Sequence, residues 1–117
     1  MKEVKVIFEG AAKEEYIKLN FIVEQEIKKG VNKSENQTLL KSIHSKIELL
    51  KNNPQAGRAV KKSLIPSKYL KKDITNLWIL NLSNYWRLLY NIQTDEIVIF
   101  CFVLEYGDHN RYNDLFG

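Results

Sequence analysis

The chain has 117 residues, 44% of them hydrophobic and 27% charged, with 18 Lys and Arg against 14 Asp and Glu. This is enough for one domain, residues 1–117, with a single core, and the composition excludes a disordered chain. No apolar run approaches the ~20 residues that span a bilayer, no signal peptide opens the chain, and the single cysteine, Cys101, excludes an internal disulfide, so a cytoplasmic protein without a membrane partner is expected.

Val4, Val6 and Phe8 alternate with Lys5 and Ile7, which predicts a first strand ending at Gly10. From Ala11 to Lys29, Ala12, Tyr16, Leu19, Val23 and Ile27 recur at helical spacing, Lys28 and Lys29 suit the negative end of the helix dipole, and Gly30 ends the helix. Ser34 and Gln37 have capping-box spacing for a second helix, whose apolar face is Leu39, Leu40, Ile43, Ile47 and Leu50 and which stops at Asn52-Asn53-Pro54. Two such helices joined by a short connector predict an antiparallel helical hairpin. His44 lies off the apolar face and is expected to be solvated.

The period then changes to two. Trp78, Leu80 and Leu82 share one face of a strand, with a tight turn at Ser83-Asn84. Trp86, Leu88, Tyr90 and Ile92 share one face of the next strand, with Arg87, Leu89 and Asn91 on the other, and Gln93-Thr94-Asp95-Glu96 forms a second turn. Ile97 to Leu104 is apolar without alternation, the pattern of a strand covered on both sides at the centre of a sheet. A short turn or helix from Asp108 to Gly117 packs back on the domain. The predicted architecture is α+β: an N-terminal strand, the helical hairpin, then a three-stranded antiparallel meander in one twisted sheet.

Positive charge is concentrated in one place. From Asn52 to Lys72 there is no Asp or Glu but there are six cations, Arg58, Lys61, Lys62, Lys68, Lys71 and Lys72, while the rest of the chain carries 12 basic and 14 acidic residues. Such a segment attracts a polyanion through Coulomb energy and counterion release; a solvated Lys-rich loop is the plainer alternative. Arg87 sits mid-strand among residues that want burial, which suits a rigid, permanently charged fork for a phosphate, or a surface Arg paired with a carboxylate across the sheet. His109 and Tyr112 have the separation to share one side of a helical turn, where His moves a proton near neutral pH. The same spacing fits a surface His and a packing Tyr.

Other chemistries find no residues here. Two histidines and one cysteine without metal-ligand spacing argue against a zinc site, and no glycine-rich phosphate loop or nucleophile elbow calls for a nucleotide cofactor. Cys101 reads as core filling. Lys, Arg, His and Tyr remain, a set suited to metal-free work on a phosphodiester, where cations stabilise the transition state.

The order of elements, the basic segment after the hairpin, the strand Tyr85-Trp86-Arg87-Leu88-Leu89-Tyr90 and the apolar strand leading to Asp108-His109-Asn110-Arg111-Tyr112 resemble the RelE/ParE toxin superfamily over almost the whole chain. The likeness is to its RelE-like branch. It implies a type II toxin that enters the ribosome and cuts mRNA by attack of the RNA 2′-hydroxyl on phosphorus, without metal or other cofactor, held off by a cognate antitoxin. It also implies that Arg87 binds the scissile phosphate, Lys61 and Lys62 contact that phosphate or take the 2′-hydroxyl proton, His109 protonates the leaving 5′-oxygen and Tyr112 stacks on a base. Arg58, Lys68, Lys71, Lys72 and Arg111 would bind the RNA backbone. Glu105 and Asp108 depart from the pattern: they would repel RNA unless Arg87 or Arg111 pairs with them, or one would serve as general base. The same resemblance leaves two rivals: a ParE-like gyrase inhibitor, and a homologue that binds RNA or antitoxin without catalysis.

Overall fold

The alternating N-terminus forms β1, Glu3–Phe8, with Val4, Val6 and Phe8 packed on the main core. The computed structural model describes residues 2–83, 86–95 and 98–116, without the side chains of Leu104, His109, Arg111 and Tyr112. The hairpin follows as α1, Gly10–Lys28, and α2, Glu35–Asn52. α1 buries Ala12, Leu19 and Val23, but Ile27, expected on the same face, is 61% exposed. Burial stops at Val23, and the last turn of α1 is spent on chain reversal: Gly30, at φ +82°, donates its N–H to Ile27 O at 3.0 Å and Val31 donates to Glu26 O at 2.9 Å. α2 buries Leu39, Leu40, Ile43 and Leu50.

The capping box forms only in part. Ser34 Oγ accepts the Gln37 N–H at 3.1 Å, but the Gln37 side chain turns to Glu26 Oε1 at 3.1 Å and to Val31 O at 2.8 Å. Glu26 also accepts from Ser34 and Asn36. Ser34 first, then Asn36 and Gln37, hold its carboxyl below the usual carboxylate range.

Four further strands, β2 (Arg58–Ala59), β3 (Trp78–Asn81), β4 (Arg87–Thr94) and β5 (Val98–Gly107), join β1 in one sheet of order β1-β5-β4-β3-β2 among the described residues. β1 runs parallel to β5, and every other pairing is antiparallel. β5 therefore has a strand on each side. The segment expected as a plain basic loop instead holds β2, a 3-10 turn at Lys62–Leu64 and a short helix α3, Ser67–Leu70. Gln93 and Thr94, expected in the second turn, belong to β4, and Asp95 Oδ1 accepts the Val98 N–H at 2.7 Å. Glu96 and Ile97, like Asn84 and Tyr85 at the first turn, lie outside the described residues. The C-terminal element is a helix, α4, His109–Phe116.

The sheet has two unlike faces. One packs on the hairpin around Leu50, Leu88, Tyr90, Cys101 and Val103, all essentially without solvent contact. Full burial of an aliphatic side chain is worth roughly 1.5–3 kcal/mol, so this packing, rather than helix propensity, holds α1 and α2 in place. The other face carries a smaller cluster of Ile65, Tyr69, Leu77, Ile79 and Leu89, on which Leu115 and Phe116 of α4 pack. A bulge in β5 decides which face Glu105 joins. Leu89 pairs with Glu105 while Tyr90 pairs with Val103, leaving Leu104 as the extra residue. Without it Glu105 would point into the hairpin core; with it Glu105 joins Leu89 on the second face. No described helix is long and apolar enough to cross a membrane.

Candidate functional site

Arg58 and Arg87 lie on the second face. Arg87, the first residue of β4, lies opposite Asn81 on one side and Gly107 on the other. Arg58 opens β2 opposite Ile79, and its Nη2 donates to Asn81 Oδ1 at 3.4 Å. Arg87 is directly opposed to Asn81, where Cβ atoms in antiparallel strands lie about 4.5–5.5 Å apart, and Arg58 reaches Asn81 diagonally from its place opposite Ile79. Arg87 is half-buried, and its Nη1 donates to Trp86 O at 3.2 Å, which fixes the side chain against its own strand. Gly107 puts no side chain between Arg87 and the start of α4.

The approach to β2 is held from below. Tyr90 OH donates to Pro54 O at 2.7 Å and accepts the Gly57 N–H at 3.0 Å. Burial pushes the Tyr90 hydroxyl up to about 12, so it remains a protonated donor. Past β2, Val60 donates its N–H to Leu77 O at 2.8 Å. Here a cleft of about 340 Å³ opens, with Arg58 and Lys61 at its rim and Val60, Leu64, Ile79 and Phe116 as apolar wall. Phe116, the last residue of α4, brings the C-terminal end of that helix to this cleft.

The six cations of the basic segment do not form one patch. Arg58 and Lys61 share the cleft beside β2. Lys62 and Lys71 are exposed on the 3-10 turn and after α3. Lys68 and Lys72 belong to a second cleft of about 240 Å³ between α3 and the start of α1. There Lys68 Nζ and Tyr69 OH both donate to Glu105 Oε1. Glu105 is 6% exposed, so the carboxylate expected to repel RNA or act as general base is instead buried and compensated. Lys68, expected on the RNA backbone, pairs with Glu105 while its side chain stays half exposed. Asp108 is exposed and lines a cleft on the hairpin side with Lys18, Leu19, Trp86 and Tyr106. His109 opens α4 and Arg111 and Tyr112 lie within it; the side chains of these three lie outside what is described.

Outside this face, His44 is exposed, with Nε2 3.0 Å from the Tyr16 hydroxyl. Cys101 is buried, and burial pushes its thiol up to about 11, leaving no thiolate for chemistry at neutral pH. Among the described residues, no group of His, Cys, Asp and Glu is arranged to hold a metal ion. Asn81, Tyr69 and Phe116 were not anticipated as site residues. Asn81 had a readable signal, since it alternates with Leu80 and Leu82 and so faces away from the hairpin.

Two arginines flanking a hydrogen-bonding amide, beside an apolar-walled cleft with a lysine at its rim, make a surface that can hold phosphates and a flat apolar group together. No curated protein and no solved structure matches the chain. A family model does, described as the ParE toxin of the type II toxin-antitoxin system, parDE, over residues 6–105, from β1 through the Arg58–Asn81–Arg87 face to Glu105, stopping short of α4. By that match, the chain belongs to the ParE toxin family of type II toxin-antitoxin systems, which implies an antitoxin as its partner.

Proposed function

We propose that this toxin acts on RNA, as a ribosome-dependent, metal-independent endoribonuclease that cuts mRNA in the cytoplasm until its antitoxin binds it. The observation that carries this reading is the Arg58–Asn81–Arg87 face, where two permanent cations stand on the strands either side of β3 and Arg58 shares a cleft with Lys61. A phosphodiester bound across the two guanidiniums would gain charge-assisted hydrogen bonds that strengthen as charge builds on the phosphoryl oxygens. In the reaction the 2′-oxygen forms a bond to phosphorus, the bond from phosphorus to the 5′-oxygen breaks, the 2′-hydroxyl proton passes to a base and the 5′-oxygen takes a proton. Lys61 or Lys62 is the base in this reading, His109 the acid and Tyr112 the base-stacking group; Lys71, Lys72 and Arg111 add backbone contacts.

The test is mRNA cleavage in a purified translation system, wild type beside Arg87→Ala. Cleavage by the wild type and loss of at least ~100-fold in the variant, the scale of one removed charge-stabilising donor, is the expected result. Equal cleavage by both would remove Arg87 from the mechanism. The family match favours a second reading, a ParE-like inhibitor that binds DNA gyrase. Intact message together with inhibited gyrase supercoiling would select it, and RNA binding with neither effect would indicate a non-catalytic homologue.

A further inference from the structure

Glu105 is a buried carboxylate on a face that otherwise gathers cations, and its Oε1 takes two donors from one four-residue helix, Lys68 and Tyr69 of α3. A carboxylate this deep is costly unless compensated, and the lysine and tyrosine compensate it from the segment that carries the charge. Tyr69 also buries its ring in the second cluster beside Ile65. From there back to Lys61 the chain is one run of tight turns, with Tyr69 N–H on Pro66 O at 3.0 Å, Ile65 N–H on Lys62 O at 3.3 Å and Leu64 N–H on Lys61 O at 2.8 Å. A constraint at Glu105 is therefore passed along a short hydrogen-bonded path to Lys62, Lys61 and the cleft. The far end of the segment is held separately by Tyr90 on Pro54 and Gly57.

We propose that Glu105 is a positioning residue: it clamps α3 to the sheet through Lys68 and Tyr69, and so presents Lys61 and Lys62 from a rigid frame instead of a mobile loop. Presentation to RNA is the part that rests on the proposed RNA-cleaving function; the clamp itself does not. Preorganisation matters here because long cationic side chains on a loose loop lose conformational freedom on binding, and a fixed backbone has already lost part of it.

Charge counting and positioning predict opposite signs. Glu105→Gln removes one negative charge from this face, so simple electrostatics predicts tighter binding of RNA. The clamp predicts weaker binding. The experiment compares wild type, Glu105→Gln, Tyr69→Phe and Lys68→Arg by amide hydrogen exchange and by salt titration of binding to a short single-stranded oligoribonucleotide of mixed sequence. Tyr69→Phe keeps charge and ring and removes only the hydroxyl, which secures the test if the buried Gln unfolds the protein.

In Glu105→Gln and Tyr69→Phe the amides of residues 61–72 should exchange at least ~10-fold faster while β4 and β5 keep their protection. RNA affinity should fall about fivefold in both, and Lys68→Arg, which keeps the ion pair, should match wild type. Tighter or unchanged binding in Glu105→Gln, or unchanged protection of the segment, overturns the proposal. A wild type that ignores RNA, with protection lost in both variants, overturns the RNA reading and supports the clamp.

Discussion

A Cβ placed on Gly57 would lie 2.7 Å from the Ile79 carbonyl oxygen and 2.9 Å from the Tyr90 hydroxyl. The first of these neighbours is backbone and the second is pinned between Pro54 and Gly57 itself, so neither can swing aside. Gly57→Ala must then push the chain away from β3 just before Arg58. The expected cost is ~1–3 kcal/mol, the range for overpacking a closed site, read as a lower urea midpoint with an unchanged slope. A variant as stable as wild type would show that β2 is not held in this register on β3. Residues of this kind differ in how far the sequence reveals them. Arg87 shares a face with Leu89 because a period of two is visible in the chain. The Tyr69–Glu105 bond spans 36 residues and needs the bulge at Leu104 to turn Glu105 to the second face, and neither a contact that long nor a bulge leaves a local pattern.

Element order was legible for a related reason. Each helix and long strand is specified within itself, by apolar spacing at 3.6 or 2, whereas the basic segment has no period and folds only because Ile65, Tyr69 and Leu77 find cover on the sheet. The α1–α2 connection lies between these cases: Ser34 and Gln37 announce the cap, but Glu26, which takes donors from Ser34, Asn36 and Gln37, is set by the reversal at Gly30. Glu26 supplies a test at this scale. Its carboxyl is held below the usual range, so the native state binds fewer protons there than the unfolded chain. The clasp therefore contributes fully above the ordinary glutamate value of 4.5 and is lost as pH falls through the lower native value. Glu26→Gln should be less stable than wild type at neutral pH, and the gap between the two urea midpoints should narrow as pH falls below the usual carboxylate range. A gap that persists at low pH would mean that shape, not charge, makes the clasp.

Tyr90 links the site to the whole molecule, because it packs in the hairpin core and also anchors the approach to β2. Burial raises it from 10.0 to about 12, and raises Cys101 in the same core from 9.0 to about 11. In the unfolded chain both groups lose their protons earlier, so between these values the native state binds more protons and stability must fall as pH rises. The contribution is complete below pH 9.0 and is lost as pH climbs towards 12. Tyr90→Phe should cost ~1–3 kcal/mol at neutral pH, since Gly57 N–H and Pro54 O lose their partner, yet its stability should fall less steeply above pH 10 than that of wild type. Trp78, whose ring lies 6.3 Å from that of Tyr90, reports the transition by fluorescence, and circular dichroism reports the helices. If core and site unfold as one unit, the two probes coincide at every pH, and the alkaline limb flattens in the variant alone. Parallel limbs in wild type and Tyr90→Phe would remove Tyr90 from the alkaline transition and separate the anchor of the basic segment from the stability of the core.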